Sequence, residues 1–202
     1  MNKNFLENIN KFQEKHFAGN KTEFERLVAE GQFPKTLFIG CSDSRVIPEL
    51  LTSSKPGDLF VVRNIGNIVP TYETGLGYHG VTAAIEYAVE ILNVKDIIIC
   101  GHSHCGAIRA LYEPPEKTTS NISNWLNLAK EAKKILPENE IVDEPTLRET
   151  EQKSVLIQME RLAKFPTVRE KLDKQELRIL GWHYFIETGK VKMYNQATNQ
   201  FE

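Results

Sequence analysis

Cys41-Ser-Asp43-Ser-Arg45 and Gly101-His102-Ser-His-Cys105-Gly106 hold the residues of this chain best suited to chemistry. Each motif follows a short apolar run, Thr-Leu-Phe-Ile-Gly in the first case and Asp-Ile-Ile-Ile-Cys in the second. Two strand ends can place three soft ligands around one metal ion. Two thiolates and one imidazole suit zinc and leave its fourth tetrahedral position open, the pattern of a catalytic rather than a structural site. The spacing of His102 and Cys105 lets one helical turn bring both to the same ion. His104 competes as a ligand, but it immediately precedes Cys105 and would diverge from it on a helix, so His102 is the better geometric choice. Cys100, inside the isoleucine run, reads as a small buried hydrophobe, the common role of a lone cysteine.

Asp43 and Arg45 have two readings. The plain one is an N-capping aspartate with a surface arginine. The chemical one is a carboxylate held by a planar, bidentate guanidinium. Such a carboxylate would orient a nucleophile on the metal or, if released by the arginine, fill the open metal position and block it. Three other patterns fail on context. Gly75-Leu-Gly77-Tyr-His-Gly80 has the dinucleotide-binding spacing, but it neither directly follows a strand nor has its acidic partner at the end of the next one. Cys105-x3-Arg109 is too short to loop around a phosphate. No C-x-x-C motif supports a redox role.

The elements that must position these residues follow from the apolar pattern. Phe5, Ile9 and Phe12 fall on one face of an N-terminal helix, and Thr22–Ala29 predicts a second. Leu37–Gly40, Leu59–Arg63 and Asp96–Cys100 read as buried strands, with Pro56-Gly57 turning into the second. Tyr78–Leu92 reads as a helix with Val81, Ile85, Ala88 and Leu92 inward. A further helix follows His102 to about Leu111, before Pro114-Pro115. Residues 120–174 are helical, broken near Pro137, Pro145 and Pro166. Glu176–Tyr184 and Lys190–Tyr194 form a closing strand pair. The alternation predicts an α/β fold with a mainly parallel central sheet, about four parallel strands plus a closing antiparallel strand, flanked by helices. It also predicts one domain over 1–202, with an N-terminal helical arm (1–30) and a metal-binding core (31–202). In such sheets ligands gather beyond the carboxyl ends of the strands, where Cys41 and His102 both fall.

The 202 residues suffice for one domain with a real core. A net charge of −2 gives no electrostatic case for nucleic acid or anionic membrane. No apolar run approaches the roughly 20 residues needed to cross a bilayer, and the polar N-terminus lacks a secretory apolar region. Three cysteines are too few, and odd in number, for a disulfide scaffold. A cytoplasmic location follows as the expectation.

These motifs resemble the β-class carbonic anhydrases. The resemblance rests on Cys41-Ser-Asp-Ser-Arg45, Pro56-Gly-Asp-Leu-Phe-Val-Val-Arg-Asn64, Ala84-Ile-Glu-Tyr87 and Gly101-His-Ser-His-Cys-Gly106, with Gly181-Trp-His-Tyr184 matching the closing strand. Residues 115–175 carry little of it. The resemblance implies reversible hydration of carbon dioxide to bicarbonate and a proton. It implies zinc on Cys41, His102 and Cys105, with a zinc-bound hydroxide oriented by Asp43 and Arg45. It also implies a substrate pocket of Gln32, Phe60, Tyr87 and the Gly106 N–H, at a dimer interface where one subunit's aromatics face the other's zinc. Dimers, often paired into tetramers, are implied as well; the face of Phe5, Ile9 and Phe12 would be an arm on a neighbour or pack on its own subunit. Without the family, Gln32 is a loop residue, and Phe60 and Tyr87 are plain core. Some members carry a regulatory bicarbonate site of Trp, Arg and Tyr; Arg63 and Tyr184 match two positions, but Phe38 replaces the Trp and its N–H donor. Gln32 fits members whose dyad stays paired at neutral pH. His79 and His183 are candidates for moving the proton. The rival readings are hydrolysis of carbon disulfide or carbonyl sulfide on the same zinc, and a non-catalytic structural zinc protein.

Overall fold

In the computed structural model, which describes residues 3–73, 79–117, 119–137 and 141–202, the chain begins with a helical arm. Helix α1 (Lys3–Lys11) runs into a π-helical stretch over Phe12–Phe17, and α2 (Lys21–Glu30) follows. The expected apolar face is present but open: Phe5, Ile9 and Phe12 are all exposed, so this face does not pack on its own subunit. The arm meets the body at Leu27, which presses so closely on Gly57 that an added Cβ would lie 2.7 Å from it.

The body is built from β1 (Thr36–Cys41), α3 (Pro48–Thr52), β2 (Leu59–Asn64), α4 (Gly80–Glu86), β3 (Asp96–His102) and α5 (Gly106–Arg109). It continues with α6 (Ser120–Asn127), α7 (Glu144–Leu162), α8 (Pro166–Asp173), β4 (Arg178–Phe185), β5 (Lys190–Asn195) and β6 (Gln200–Phe201). The described strands form one sheet in the order β2-β1-β3-β4-β5-β6. The first four are mutually parallel. β5 and β6 close the sheet antiparallel, so there are two closing strands where one was expected. Because β1 has β2 on one side and β3 on the other, the strand order reverses at β1. The connections leaving β1 and β3 diverge there, and in open sheets of this kind ligands gather beyond the carboxyl ends of the strands at such a point.

Alternation sorts the strand residues. Leu37, Ile39, Ile97 and Ile99 pack with Ile85, Ala88, Val155, Leu162 and Val168 from the helices on one face. Phe38, Ile98 and Cys100 turn to the other face, against Leu51, Val61, Leu180 and Trp182. Burial on both faces explains why β1 and β3 read as unbroken apolar runs rather than alternating ones. Each fully buried Ile or Leu contributes roughly 1.5–3 kcal/mol, which fixes these two strands firmly in place.

Several boundaries differ from expectation for local reasons. Residues Gly75–Tyr78 lie outside the described ones; α4 starts at Gly80, and Tyr87–Ile91 continues as a π-helical turn, with Leu92 N–H donating to Tyr87 O at 3.0 Å. Helix α5 stops at Arg109, short of Leu111. The breaks expected near Pro145 and Pro166 are present, and each proline lies in the first turn of the helix that follows. Asp143 caps α7, its carboxylate accepting the Thr146 N–H, and Pro166 is the first residue of α8, where a missing N–H is harmless.

Candidate metal centre

Cys41 ends β1, His102 ends β3, and Cys105 directly precedes α5. All three are buried, and their ligand atoms lie within 4.8 Å of one another. Among the described residues no other trio of His, Cys, Asp or Glu gathers this way. The His102–Cys105 spacing works, but not through a helical turn. Ser103 extends the ladder by donating its N–H to Tyr184 O at 2.8 Å, and His104 then adopts a left-handed conformation with φ of 57°. That reversal sends the His104 ring outward toward Glu144 (3.4 Å) and Glu187 (3.7 Å) and returns Cys105 to the side of Cys41 and His102.

The donor chemistry fits zinc. His102 Nδ1 lies 2.9 Å from its neighbour's carbonyl, Ser103 O, the geometry of an Nδ1–H donor. That tautomer leaves Nε2 as the lone-pair donor, and Nε2 is buried without a protein partner. Cys41 Sγ accepts N–H groups from Asp43 and Gly66, each at 3.4 Å. Gly66 is brought there by Asn64, whose side-chain amide brackets Ile68 by donating to its carbonyl and accepting its N–H. Only glycine suits that turn: φ is +78°, and an added Cβ would fall 2.9 Å from Ala107 Cβ. The two sulfurs shift each other in opposite directions. Contact with Cys105, then His102 and the two N–H groups, pulls Cys41 down to about 4, against the effect of burial. Cys105, beside that thiolate and buried, is pushed well above the usual thiol range. A divalent ion with two thiolates and a neutral imidazole matches this set. Cys100 is different: burial pushes its thiol up to about 12, as suits an inert core residue.

Asp43 and Arg45 stand beside these ligands in the bidentate arrangement. Asp43 Oδ1 accepts from Arg45 Nε at 2.9 Å and from the Arg45 backbone N–H at 3.0 Å, and Oδ2 accepts from Nη2 at 2.7 Å. Nη2 also donates to His104 O at 3.1 Å, tying the dyad to the loop that carries Cys105. Arg63 supports the same corner through Cys41 O and Asp43 O. The Arg45 guanidinium holds the Asp43 carboxyl well below the usual carboxylate range. Phe38, in place of an indole, is fully buried and edge-on to Trp182.

The remaining expected residues divide. Gly106 follows Cys105 directly and is exposed as the first residue of α5. Phe60 and Tyr87 stack on each other with centroids 5.9 Å apart, and Gln32 is an exposed residue after α2. Phe60 does not reach the metal centre of its own chain. It pairs with Leu37, four residues before Cys41, a separation of about 13 Å at roughly 3.3 Å per residue. His183 is fully buried and bound to Glu151. His79 is exposed. Glu151 itself was not anticipated: it lies on α7 with 2% exposure and accepts the Cys105 N–H.

Comparison with known proteins agrees with this geometry. The carbonic anhydrase family matches residues 36–191. A carbonic anhydrase of Synechocystis sp. is 37% identical over 200 residues, covering 97% of this chain and 72% of that protein. The solved β-carbonic anhydrase CcaA superposes with a TM-score of 0.89 at 36% identity, covering 98% of this chain and 90% of the other. A tetrameric β-carbonic anhydrase from Sordaria macrospora does so with a TM-score of 0.80 at 31% identity, covering 93% of each. Two cysteines and a histidine converging at the ends of two parallel strands, with relatives of this closeness, lead to one conclusion: the chain belongs to the β-class carbonic anhydrases and is an enzyme of that lyase family.

Proposed function

We propose that the chain hydrates carbon dioxide reversibly on zinc held by Cys41, His102 and Cys105, with Asp43 and Arg45 orienting the nucleophile. The observation that carries this reading is the meeting of three soft ligand atoms within 4.8 Å beside a carboxylate gripped through both oxygens. Bound by these ligands, zinc supplies a nucleophile by acidifying water, though less strongly than the pKa of about 7 reached with three neutral imidazoles, because two thiolates cancel its charge.

The chain's own part is orientation. Oδ1 of Asp43 has two donors and Oδ2 has one, so Oδ2 keeps a lone pair free to accept a hydrogen. A nucleophile donating to Oδ2 presents its own lone pair to the substrate in a fixed direction. Gln32, Phe60, Tyr87 and the Gly106 N–H are assigned to the substrate niche, with the two aromatics supplied by a second copy. The distance of Phe60 from its own chain's centre supports that assignment. So do the 45% exposure of Tyr87 and the open face of Phe5, Ile9 and Phe12, a suitable arm for a neighbouring copy. Light scattering should find a dimer or larger; a fully active monomer would refute the shared pocket.

Metal analysis beside stopped-flow carbon dioxide hydration across pH tests the main reading. Stoichiometric zinc and a turnover that climbs from neutral to mildly alkaline pH are expected. Asp43 contributes nothing to that climb: its lowered pKa keeps it ionised throughout the range, and its protonation would matter only in strong acid. A flat profile, or protein without zinc, counts against the proposal.

A further inference from the structure

Cys105 belongs to neither a strand nor a helix interior. It follows a left-handed residue and precedes a helix of four residues, too short to fix it. Its N–H is buried with it, so the position of its sulfur depends on what holds the loop from outside. Ser103 is held by Tyr184 O and Glu187, and His104 by Arg45. Cys105 is held by Glu151.

The Glu151 carboxylate has three partners. Oε1 accepts the Cys105 N–H at 3.1 Å and meets Arg148 Nη2 at 3.2 Å. Oε2 meets His183 Nε2 at 3.0 Å. His183 projects from β4 opposite Gly101 of β3 and packs edge-on to Phe185. The helix carrying Glu151 is seated by the same glycine: a Cβ on Gly101 would fall 2.6 Å from Val155 Cγ2 and 3.6 Å from Glu151 O. Gly101 directly precedes His102, so the support for one cysteine is registered against the strand that carries the histidine. A buried carboxylate is expensive unless donors surround it, and here donors from α7, β4 and the ligand loop converge on one group.

We infer that Glu151, steadied by His183 and Arg148, is the positioning residue for Cys105: its grip on the Cys105 N–H aims the sulfur at Cys41 and His102. This rests on the reading of Cys105 as a metal ligand. Groups that orient a ligand from behind typically alter metal affinity by about 10–100-fold when removed.

The test uses the full chain. Glu151→Ala removes the acceptor, whereas Glu151→Gln keeps an oxygen for the Cys105 N–H and turns its NH2 toward His183, whose Nε2 accepts in the other tautomer. Glu151→Ala should weaken zinc about 10–100-fold in competition with a chromophoric chelator, and should shift the sulfur-to-metal absorption of the cobalt-substituted protein. Glu151→Gln should stay near wild type in both. A residue that merely stabilised the fold would lower the melting temperature while leaving zinc affinity and the cobalt spectrum of the folded protein unchanged, and that result overturns the inference. If Glu151→Ala does not fold, Glu151→Asp replaces it, because the shorter side chain keeps its charge but withdraws from the Cys105 N–H. Wild-type zinc affinity in Glu151→Asp also overturns the inference. Cys105→Ala, measured alongside, separates the two claims. If it binds zinc like wild type, the ligand assignment fails; if it loses zinc while the Glu151 variants do not, only the role of Glu151 fails.

Discussion

Cys41→Ala is expected to lose both zinc and carbon dioxide hydration. The substitution removes one of three protein ligands and one of the two thiolates that offset the ion's charge. It also strands the Asp43 and Gly66 N–H groups, which now donate to the sulfur. Since removal of a supporting group alone costs about 10–100-fold in metal affinity, loss of a ligand should exceed that range. The matching control is Cys100→Ala. Cys100 lies on the strand next to the ligands and is fully buried, yet it belongs to the cluster around Phe38 and Ile98 on the other face of the sheet. That variant should lose some packing stability but keep zinc and turnover. Plasma-emission metal analysis of both proteins, with stopped-flow hydration, checks the pair. Full metal content in Cys41→Ala would sink the site, and loss of metal in Cys100→Ala would show that the ligand set had been misassigned.

What could be read from the chain depended on whether burial left a one-dimensional trace. The strands beneath the site did so: Ile97, Ile98 and Ile99 face alternate sides, and all are buried, so no other element fits the run as well. The trio of Cys41, His102 and Cys105 at the strand ends was legible because the capacity to hold a metal is a property of residue type. Their geometry was not. Histidine is among the residues tolerated in the left-handed region, but nothing in Ser103-His104 announces that conformation, and a helical turn matched the same spacing. Glu151 was hidden for a different reason. The inward face of α7 mixes Leu147, Val155 and Leu162 with Thr150, Glu151, Ser154, Gln158 and Arg161, so no continuous apolar stripe marks which side faces the sheet. Phe60 and Tyr87 show a third limit. Within one chain they stack as half-buried neighbours, and their assignment to a substrate niche depends on a second copy that no periodicity encodes.

Asp43→Ala should keep zinc and lose most of its turnover, by about 10²–10⁴-fold, the range associated with a positioned proton-accepting group. Asp43 is not among the converging ligand atoms, and its carboxylate is turned to Arg45, so metal content should be unaffected. Asp43→Asn is nearly isosteric, but its amide must turn one N–H toward either Arg45 or the nucleophile, replacing an acceptor with a donor. It should therefore fall almost as far as the alanine variant. Arg45→Lys supplies one point charge where the structure uses a fork, donating through Nε and Nη2 to separate oxygens. The freed carboxylate can then turn to the open metal position, so this variant should also lose turnover with zinc retained. The two residues act as one device, so their effects should not add: Asp43→Ala with Arg45→Ala should be little worse than Asp43→Ala alone. Additive losses in that double mutant would show that Arg45 works independently of Asp43, and zinc-loaded Asp43→Ala with wild-type turnover would remove the dyad from the mechanism.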